Sequence, residues 1–103
     1  MTYAQIVSDF LNNPRDVSTA PQRNSTPKWF HVTAVGGSLY ISNAKFHKLS
    51  CRITVSRKLN EKEYEQMLDY YHQRLARENI SQTVASFTIN SSYWYGIFNE
   101  LGL

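Results

Sequence analysis

Two consecutive glycines, Gly36 and Gly37, constrain the fold of this chain more than any other feature of its sequence. They separate two β-rich runs, WFHVTAV (residues 29–35) and SLYIS (residues 38–42). A two-residue hairpin loop needs a positive φ, which glycine adopts without steric cost. The pattern therefore predicts a β-hairpin that turns directly after residue 35.

A third segment, residues 49–55, alternates apolar and polar side chains. This period of two is typical of a half-buried antiparallel strand. Its apolar positions are Leu49, Cys51, Ile53 and Val55. Together with the hairpin, the segment predicts a three-stranded antiparallel β-meander.

Helical periodicity marks both ends of the chain. Residues 1–11 predict a short amphipathic helix with Thr2 as its N-cap. Towards the C-terminus, residues 61–76 predict a longer amphipathic helix, and two shorter helices follow on either side of a turn at residues 88–90. The predicted fold class is therefore α+β, with an N-terminal helix, the three-stranded meander and a C-terminal three-helix segment.

A polar stretch, residues 12–28, contains all three prolines of the chain and has no apolar periodicity. A structureless stretch of this length is uncommon inside a compact domain. We therefore predict three parts. Residues 1–11 form a helical arm that docks on the core or on a partner, residues 12–28 form a flexible tether, and residues 29–103 form a single α+β domain.

Charge is unevenly distributed along the chain. The net charge is +3, from eleven Lys and Arg against eight Asp and Glu. Residues 14–58 carry most of the basic residues and only one acidic residue, Asp16, whereas residues 59–103 are acidic overall. Such asymmetry indicates a polyanionic partner or an association between charged surfaces. Two solvated faces of an ordinary domain are the alternative explanation.

Five basic residues lie close together in the sequence with no acidic residue among them: Lys45, Lys48, Arg52, Arg57 and Lys58. Phe46 and His47 lie within this group. Basic side chains interleaved with aromatic ones hold phosphates and stack exposed bases. The group predicts a nucleic-acid-binding face on the sheet. In the alternative interpretation, Arg52 and Thr54 are the solvated face of a two-layer sheet, and Phe46 and Tyr40 belong to the core.

Residues 81–101, SQTVASFTINSSYWYGIFNEL, resemble the helix-turn-helix of small DNA-binding regulators. Ala85 matches the small residue at which the two helices of that motif cross. In that family the second helix enters the major groove of DNA. The resemblance implies that base edges are contacted by the exposed residues of the second helix: Ser91, Ser92, Tyr95 and Asn99. The same apolar positions would also build an ordinary three-helix core.

Signatures of catalysis, cofactor binding and metal binding are missing from the sequence. Cys51 lies at the same alternating positions as Ile53 and Val55, so we expect it to be buried and to behave as a small apolar residue. The three histidines lack the spacing of a metal-ligand pair. The paired glycines are not followed by the helix and lysine of a phosphate loop. We therefore predict a protein that is not an enzyme and holds no cofactor or metal.

Targeting and membrane signals are also missing. No apolar run approaches the roughly 18 residues of a membrane span, and the first residues do not form a signal peptide. The single cysteine excludes a disulfide scaffold. These observations predict a cytoplasmic protein without a membrane partner.

Two functions fit the sequence, and both involve binding. The first is a small nucleic-acid-binding or regulatory protein that uses a basic sheet face and the helix-turn-helix. The alternative is a phage or mobile-element interaction module, an inhibitor of the anti-CRISPR kind, that acts on a host protein or nucleoprotein complex. Its abundant Tyr, Trp and Arg are residues that interface hot spots favour. A homodimer, with the basic sheet of one copy on the acidic helix of another, is a further hypothesis.

Overall fold

The computed structural model describes all residues from Met1 to Leu103. It contains four helices and one four-stranded sheet, which confirms the α+β class. In chain order the elements are α1 (Tyr3–Asn12), β1 (Arg15–Ser18), β2 (Trp29–Val35), β3 (Ser38–Asn43), β4 (Arg57–Leu59), α2 (Glu61–Leu75), α3 (Ser81–Phe87) and α4 (Ser91–Leu101).

The sheet is an antiparallel meander in the order β1-β2-β3-β4, and the predicted hairpin forms its centre. Val35 pairs with Ser38 across the turn. Gly36 and Gly37 have φ values of 57° and 78°, which glycine adopts without the steric cost that a Cβ would add. The hairpin prediction is confirmed.

The first strand lies where the sequence predicted a tether. Residues 15–18 pair with the first half of β2, so the prediction of a flexible stretch over residues 12–28 is wrong for these four residues. The strand forms because of contacts with residues that are distant in the sequence. Val17 is fully buried in the core, and Asp16 is held by groups from β2 and from beyond β3.

The predicted strand over residues 49–55 does not form. This segment makes only one isolated parallel bridge, between Trp29 and Ser50, and β3 pairs instead with β4. The alternation was misleading because the backbone takes other partners here. For example, the N–H of Ile53 donates to the side-chain oxygen of Asn43 at 2.7 Å. Ile53 is buried as the pattern predicted, but Val55 is 74% exposed.

The two faces of the sheet have different roles. The inner face is packed against α1 and α4, and α2 packs on α4. Residues of the opposite parity form the outer face, on which no helix packs. The outer face carries Asp16, Ser18, Trp29, His31, Thr33, Tyr40, Ser42 and Lys58.

Helix α1 is part of the core. It starts with the predicted N-cap, Thr2, which forms a capping box with Gln5. Four of its residues join the single hydrophobic cluster of the molecule: Tyr3, Ile6, Val7 and Phe10. The hydroxyl of Tyr3 donates to the carbonyl of Leu59 at 2.6 Å and accepts the N–H of Leu39 at 3.0 Å. The predicted arm therefore docks on the core.

Helix α4 is enclosed between the sheet and α2. Its middle is buried on all sides, from Trp94 to Phe98. A Cβ on Gly96 would lie 2.6 Å from the carbonyl oxygen of Ser18 and 3.0 Å from the Phe30 ring. The helix and β1 therefore approach each other so closely that only glycine fits without movement.

None of the four helices combines the length and the apolar character that crossing a membrane requires.

Candidate functional site

Residues 44–50, between β3 and the bridge at Ser50, form a loop that is fixed to the outer face by a buried carboxylate. We call it the anchored loop. Asp16 accepts the backbone N–H of Lys45 at 3.0 and 3.1 Å and that of Phe46 at 2.7 Å. Its two oxygens also form hydrogen bonds with the histidine rings, one with His31 Nδ1 at 2.8 Å and the other with His47 Nδ1 at 2.9 Å.

The electrostatics of Asp16 follow from these contacts. Burial alone would raise the pKa of this carboxyl, but hydrogen bonds from the Lys45 N–H, the His47 ring, the Phe46 N–H and the His31 ring outweigh burial. They hold the pKa of Asp16 well below its usual range. The group is therefore an ionised carboxylate at neutral pH. Because a carboxylate only accepts hydrogen bonds, both histidines donate from Nδ1.

Aromatic contacts hold the anchored loop from the side. The His47 ring stacks on Trp29, with centroids 3.5 Å apart and an angle of 9° between the planes. The backbone N–H of Trp29 also donates to the carbonyl of Leu49 at 2.6 Å, and the backbone N–H of Ala44 donates to Ser50 Oγ at 3.0 Å. Both ends of the loop and its middle are therefore tied to the sheet or to each other.

The anchored loop exposes an aromatic ring among basic side chains. Phe46 is 77% exposed although its backbone N–H is bound by Asp16. Lys45 and Lys48 on either side of it are exposed as well. Large apolar side chains are usually buried, so a well-anchored exposed phenylalanine is the informative exception. The interpretation of Phe46 as a core residue is wrong.

The five predicted basic residues do not share one face. Lys45 and Lys48 lie in the anchored loop, and Lys58 lies on the outer face opposite Tyr40 in register. None of the five forms an ion pair with a carboxylate. Arg52 is exposed in the segment between Ser50 and β4.

Arg57 points away from the other basic residues, towards the helices. Its guanidinium donates to Asn90 Oδ1 at 3.3 Å and lies 5.9 Å from the ring centroid of Tyr93. The structure therefore places Lys45 and Lys48 in the anchored loop and Lys58 on the outer face of β4, and it turns Arg57 away from them.

The residues implied by the helix-turn-helix resemblance lie elsewhere. Ser92 and Asn99 are exposed, Ser91 is half-buried, and Tyr95 is buried under the guanidinium of Arg74 at 4.5 Å. Three of them, Ser91, Ser92 and Tyr95, line one cavity, whereas Asn99 lies outside it. Ala85 is exposed, although the resemblance expects it at a crossing of two helices.

Sequence reasoning missed Asp16, His31 and Trp29 as residues of this site. Asp16 was assigned to the tether, and the other two were read only as strand residues. A signal was present, because Asp16 is the one acidic residue of the basic half of the chain and precedes Val17, a good strand former. A lone carboxylate among so many basic residues indicates that specific groups of the same chain bind it in the fold.

No group of three or more His, Cys, Asp or Glu side chains is arranged to hold a metal ion. Comparison with known proteins gives no match to a family model, to a curated protein or to a solved structure. The functional proposal therefore depends on the chemistry of the site itself.

Proposed function

We propose that this chain is a non-enzymatic protein that binds single-stranded nucleic acid through the anchored loop and the adjoining outer face of the sheet. The observation that carries the proposal is Phe46, 77% exposed between two unpaired lysines on a loop whose backbone is fixed by a buried aspartate. We assign Lys45, Phe46 and Lys48 of the anchored loop to the binding surface, together with Tyr40 and Lys58, which pair on the outer face of the sheet.

The residue types of this surface match the two parts of a nucleotide strand. Lysines without carboxylate partners attract phosphates and release counterions from them. An exposed aromatic ring stacks on a base whatever its identity, because every base has a π-face. The chain has no acidic residue between Asp16 and Glu61, so few carboxylates repel the strand.

The anchoring by Asp16 lowers the cost of binding. A mobile loop loses conformational entropy when it is immobilised on a ligand, and this loss weakens binding. The hydrogen bonds of Asp16 to the Lys45 and Phe46 amides order the loop in the free protein. The phenylalanine and the lysines are thus already in place when the strand arrives.

Single strands are favoured over duplex DNA for two reasons. Stacking on Phe46 requires bases that are splayed out, as they are in single strands. Duplex binding through a helix-turn-helix would use α4 as the helix in the major groove, but α4 has no Lys or Arg and its middle is buried. Binding by Ser91, Ser92 and Asn99 in that mode is therefore less well supported than binding by the anchored loop.

A protein partner is the second candidate function, in line with an inhibitor of a host protein or nucleoprotein complex. Leu49 is 57% exposed and Val55 is 74% exposed, and apolar side chains next to lysines also suit a protein surface. Capture from a host lysate separates the two functions. A partner that remains bound after nuclease treatment supports the protein interaction, and loss of the partner on nuclease treatment supports nucleic acid.

The salt dependence of binding tests the proposed function. Fluorescence anisotropy with a mixed-sequence single-stranded oligonucleotide is measured between about 50 and 200 mM salt. For the double variant Lys45→Gln/Lys48→Gln we expect weaker binding and a log K against log salt slope that is shallower by about 1.4, since each phosphate contact to a single strand contributes about 0.7. The control is Lys62→Gln, which removes an exposed lysine of α2 and should leave the slope unchanged.

Two results would contradict the proposal. One is the lack of any binding at micromolar protein in low salt. The other is tighter binding to a duplex of the same sequence than to the single strand.

A further inference from the structure

A second concave site lies on the helical side of the molecule, outside the anchored loop. It is an open cavity of about 440 Å³ between the chain of residues 19–28, the second half of α2 and the start of α4. This volume is in the range of small-molecule sites, about 300–1,000 Å³. Most of its lining side chains are polar, and several carry hydroxyl groups, among them Thr19, Ser91, Ser92 and Tyr95.

The cavity is lined by two cations and by no acidic residue. Lys28 and Arg74 both face it, and neither forms an ion pair with a carboxylate anywhere in the structure. Basic residues on an ordinary surface are usually interspersed with acidic ones. The lining of the cavity therefore carries two positive charges and no negative one.

Arg74 is held rigidly in this position. Its Nη2 donates to the carbonyl of Ala20 at 2.6 Å, and its guanidinium stacks over the Tyr95 ring at 4.5 Å. Burial lowers the pKa of Arg74, and the neighbouring Tyr95 and Tyr71 offset this only in part. A carbonyl and a ring orient the charge but do not cancel it. A half-buried guanidinium with donors to spare is a suitable partner for an anion.

The remaining groups of the cavity favour an anion with several oxygens. The hydroxyls of Ser91 and Ser92 supply neutral donors beside the two cations. Helix α4 starts at the same place, and its first turn contains no acidic residue, so the positive end of its dipole adds to the potential. A carboxylate has one charge and two oxygens. A phosphomonoester has nearly two charges and three terminal oxygens, which match two cations and a set of hydroxyls better.

We propose that this cavity binds a phosphomonoester group. The site is separate from the anchored loop and does not depend on the function proposed for it. Two sources of the group share this chemistry: a free phosphorylated small molecule and the phosphorylated end of a nucleotide strand. Lys28 directly precedes Trp29, whose ring stacks on His47 of the anchored loop, so the cavity and the loop are joined through neighbouring residues of the chain.

Calorimetric titration of the full chain with AMP, inorganic phosphate and adenosine tests the proposal. We expect saturable binding of AMP and of phosphate and none of adenosine. The variant Lys28→Gln should weaken AMP binding by about tenfold or more, because it removes one charge-assisted contact. The matched control is Arg23→Gln, which removes a charge from the same segment outside the cavity and should leave binding unchanged.

Cys51 provides a second measurement that locates the ligand. It is the only cysteine and it lines the cavity, so alkylation of its thiol should slow when AMP is bound. The slowing should be absent in Lys28→Gln at the same AMP concentration. The proposal is overturned if AMP does not saturate, if adenosine binds equally well, or if Arg23→Gln weakens binding as much as Lys28→Gln.

A pair of oligonucleotides distinguishes the two sources of the phosphate. Tighter binding of a 5′-phosphorylated strand than of its 5′-hydroxyl counterpart, with the difference lost in Lys28→Gln, assigns the cavity to strand ends. Equal affinity of the two strands, together with saturable AMP binding, assigns it to free phosphorylated molecules. Both results support a phosphomonoester site.

Discussion

Asp16 is the residue on which the anchored loop depends most, because one carboxylate satisfies two backbone amides and two histidine rings. Its side chain is buried, so water cannot replace these partners if the carboxylate is removed. Breaking a buried, hydrogen-bonded charge leaves several donors without acceptors, which is among the more costly single changes a protein can undergo.

We predict that Asp16→Asn lowers the free energy of unfolding by about 2–4 kcal/mol. An amide has one acceptor oxygen and introduces an NH₂ group that faces the existing donors. The control is Asp9→Asn, which removes only a partly exposed ion pair with Arg15 and should cost about 1 kcal/mol or less. Urea denaturation of the three proteins measures both values. Equal losses in the two variants would show that Asp16 is not the anchor.

The stabilisation by Asp16 has a definite pH dependence. Its pKa is lower in the folded protein than in the unfolded chain, where it is about 3.9. The stabilisation is therefore complete above that unfolded value and is lost as the pH falls below it towards the folded pKa. We predict that the difference in unfolding free energy between wild type and Asp16→Asn is full at about pH 5 and shrinks below about pH 4. A difference that stays constant down to about pH 3 would contradict this prediction.

At the scale of elements, the approach of α4 to β1 determines how the helical layer sits on the sheet. The contact is made at Gly96, where a Cβ would come within 2.6 Å of the Ser18 carbonyl oxygen. Neither partner can move easily, since β1 is paired with β2 and the middle of α4 is buried.

The variant Gly96→Ala should destabilise the fold by about 1–3 kcal/mol, as overpacked core positions do. Alanine is the better helix former by about 1 kcal/mol, so intrinsic propensity alone predicts the opposite sign. Asn99→Ala, on an exposed position of the same helix, isolates the propensity effect and should be neutral or slightly stabilising. Thermal unfolding of both variants decides the point, and a stabilised Gly96→Ala would disprove the close contact.

Elements set by local chemistry could be predicted from the sequence, whereas those set by distant partners could not. The hairpin follows from two adjacent glycines, and α2 follows from its apolar periodicity. By contrast, β1 is a short polar segment that forms a strand because the side chain of Val17 is buried in the core. The alternation in residues 49–55 correctly predicted the burial of Ile53 but not the pairing of the backbone. The backbone there forms hydrogen bonds with the Asn43 side chain and with β2 instead of a strand ladder.

The candidate site was predictable to the same extent. Lys45, Phe46 and Lys48 are neighbours in the sequence, and their common chemistry is visible there. Their anchor is not, since Asp16 lies 31 positions from His47 and no local pattern connects the two. The cavity likewise depends on Lys28 and Arg74, which come together only in the folded chain.

On the scale of the whole molecule, one core extends from α1 to α4. The N-terminal helix supplies four members of this core, and Tyr3 connects it to β3 and β4 through hydrogen bonds. We therefore expect the chain to unfold as one unit, with α1 as part of its core.

Deletion of residues 1–13 should consequently abolish cooperative unfolding, because it removes four buried side chains worth about 1.5–3 kcal/mol each from a fold of ordinary marginal stability. Circular dichroism during urea titration measures the transition. A truncated protein that still unfolds cooperatively, with a midpoint near that of the full chain, would mean that the helix is a detachable arm.

The affinity of Phe46→Ala shows whether the anchored loop presents Phe46 to single-stranded nucleic acid. Anisotropy with a single-stranded oligonucleotide at low salt compares it with Ile89→Ala, which removes a side chain that is 79% exposed in the turn before α4. Both variants should keep the stability of the wild type within about 0.5 kcal/mol. We predict that Phe46→Ala binds about tenfold more weakly, through the loss of one stacked base, and that Ile89→Ala binds like wild type. Equal affinity of the two variants would show that Phe46 does not stack on a base.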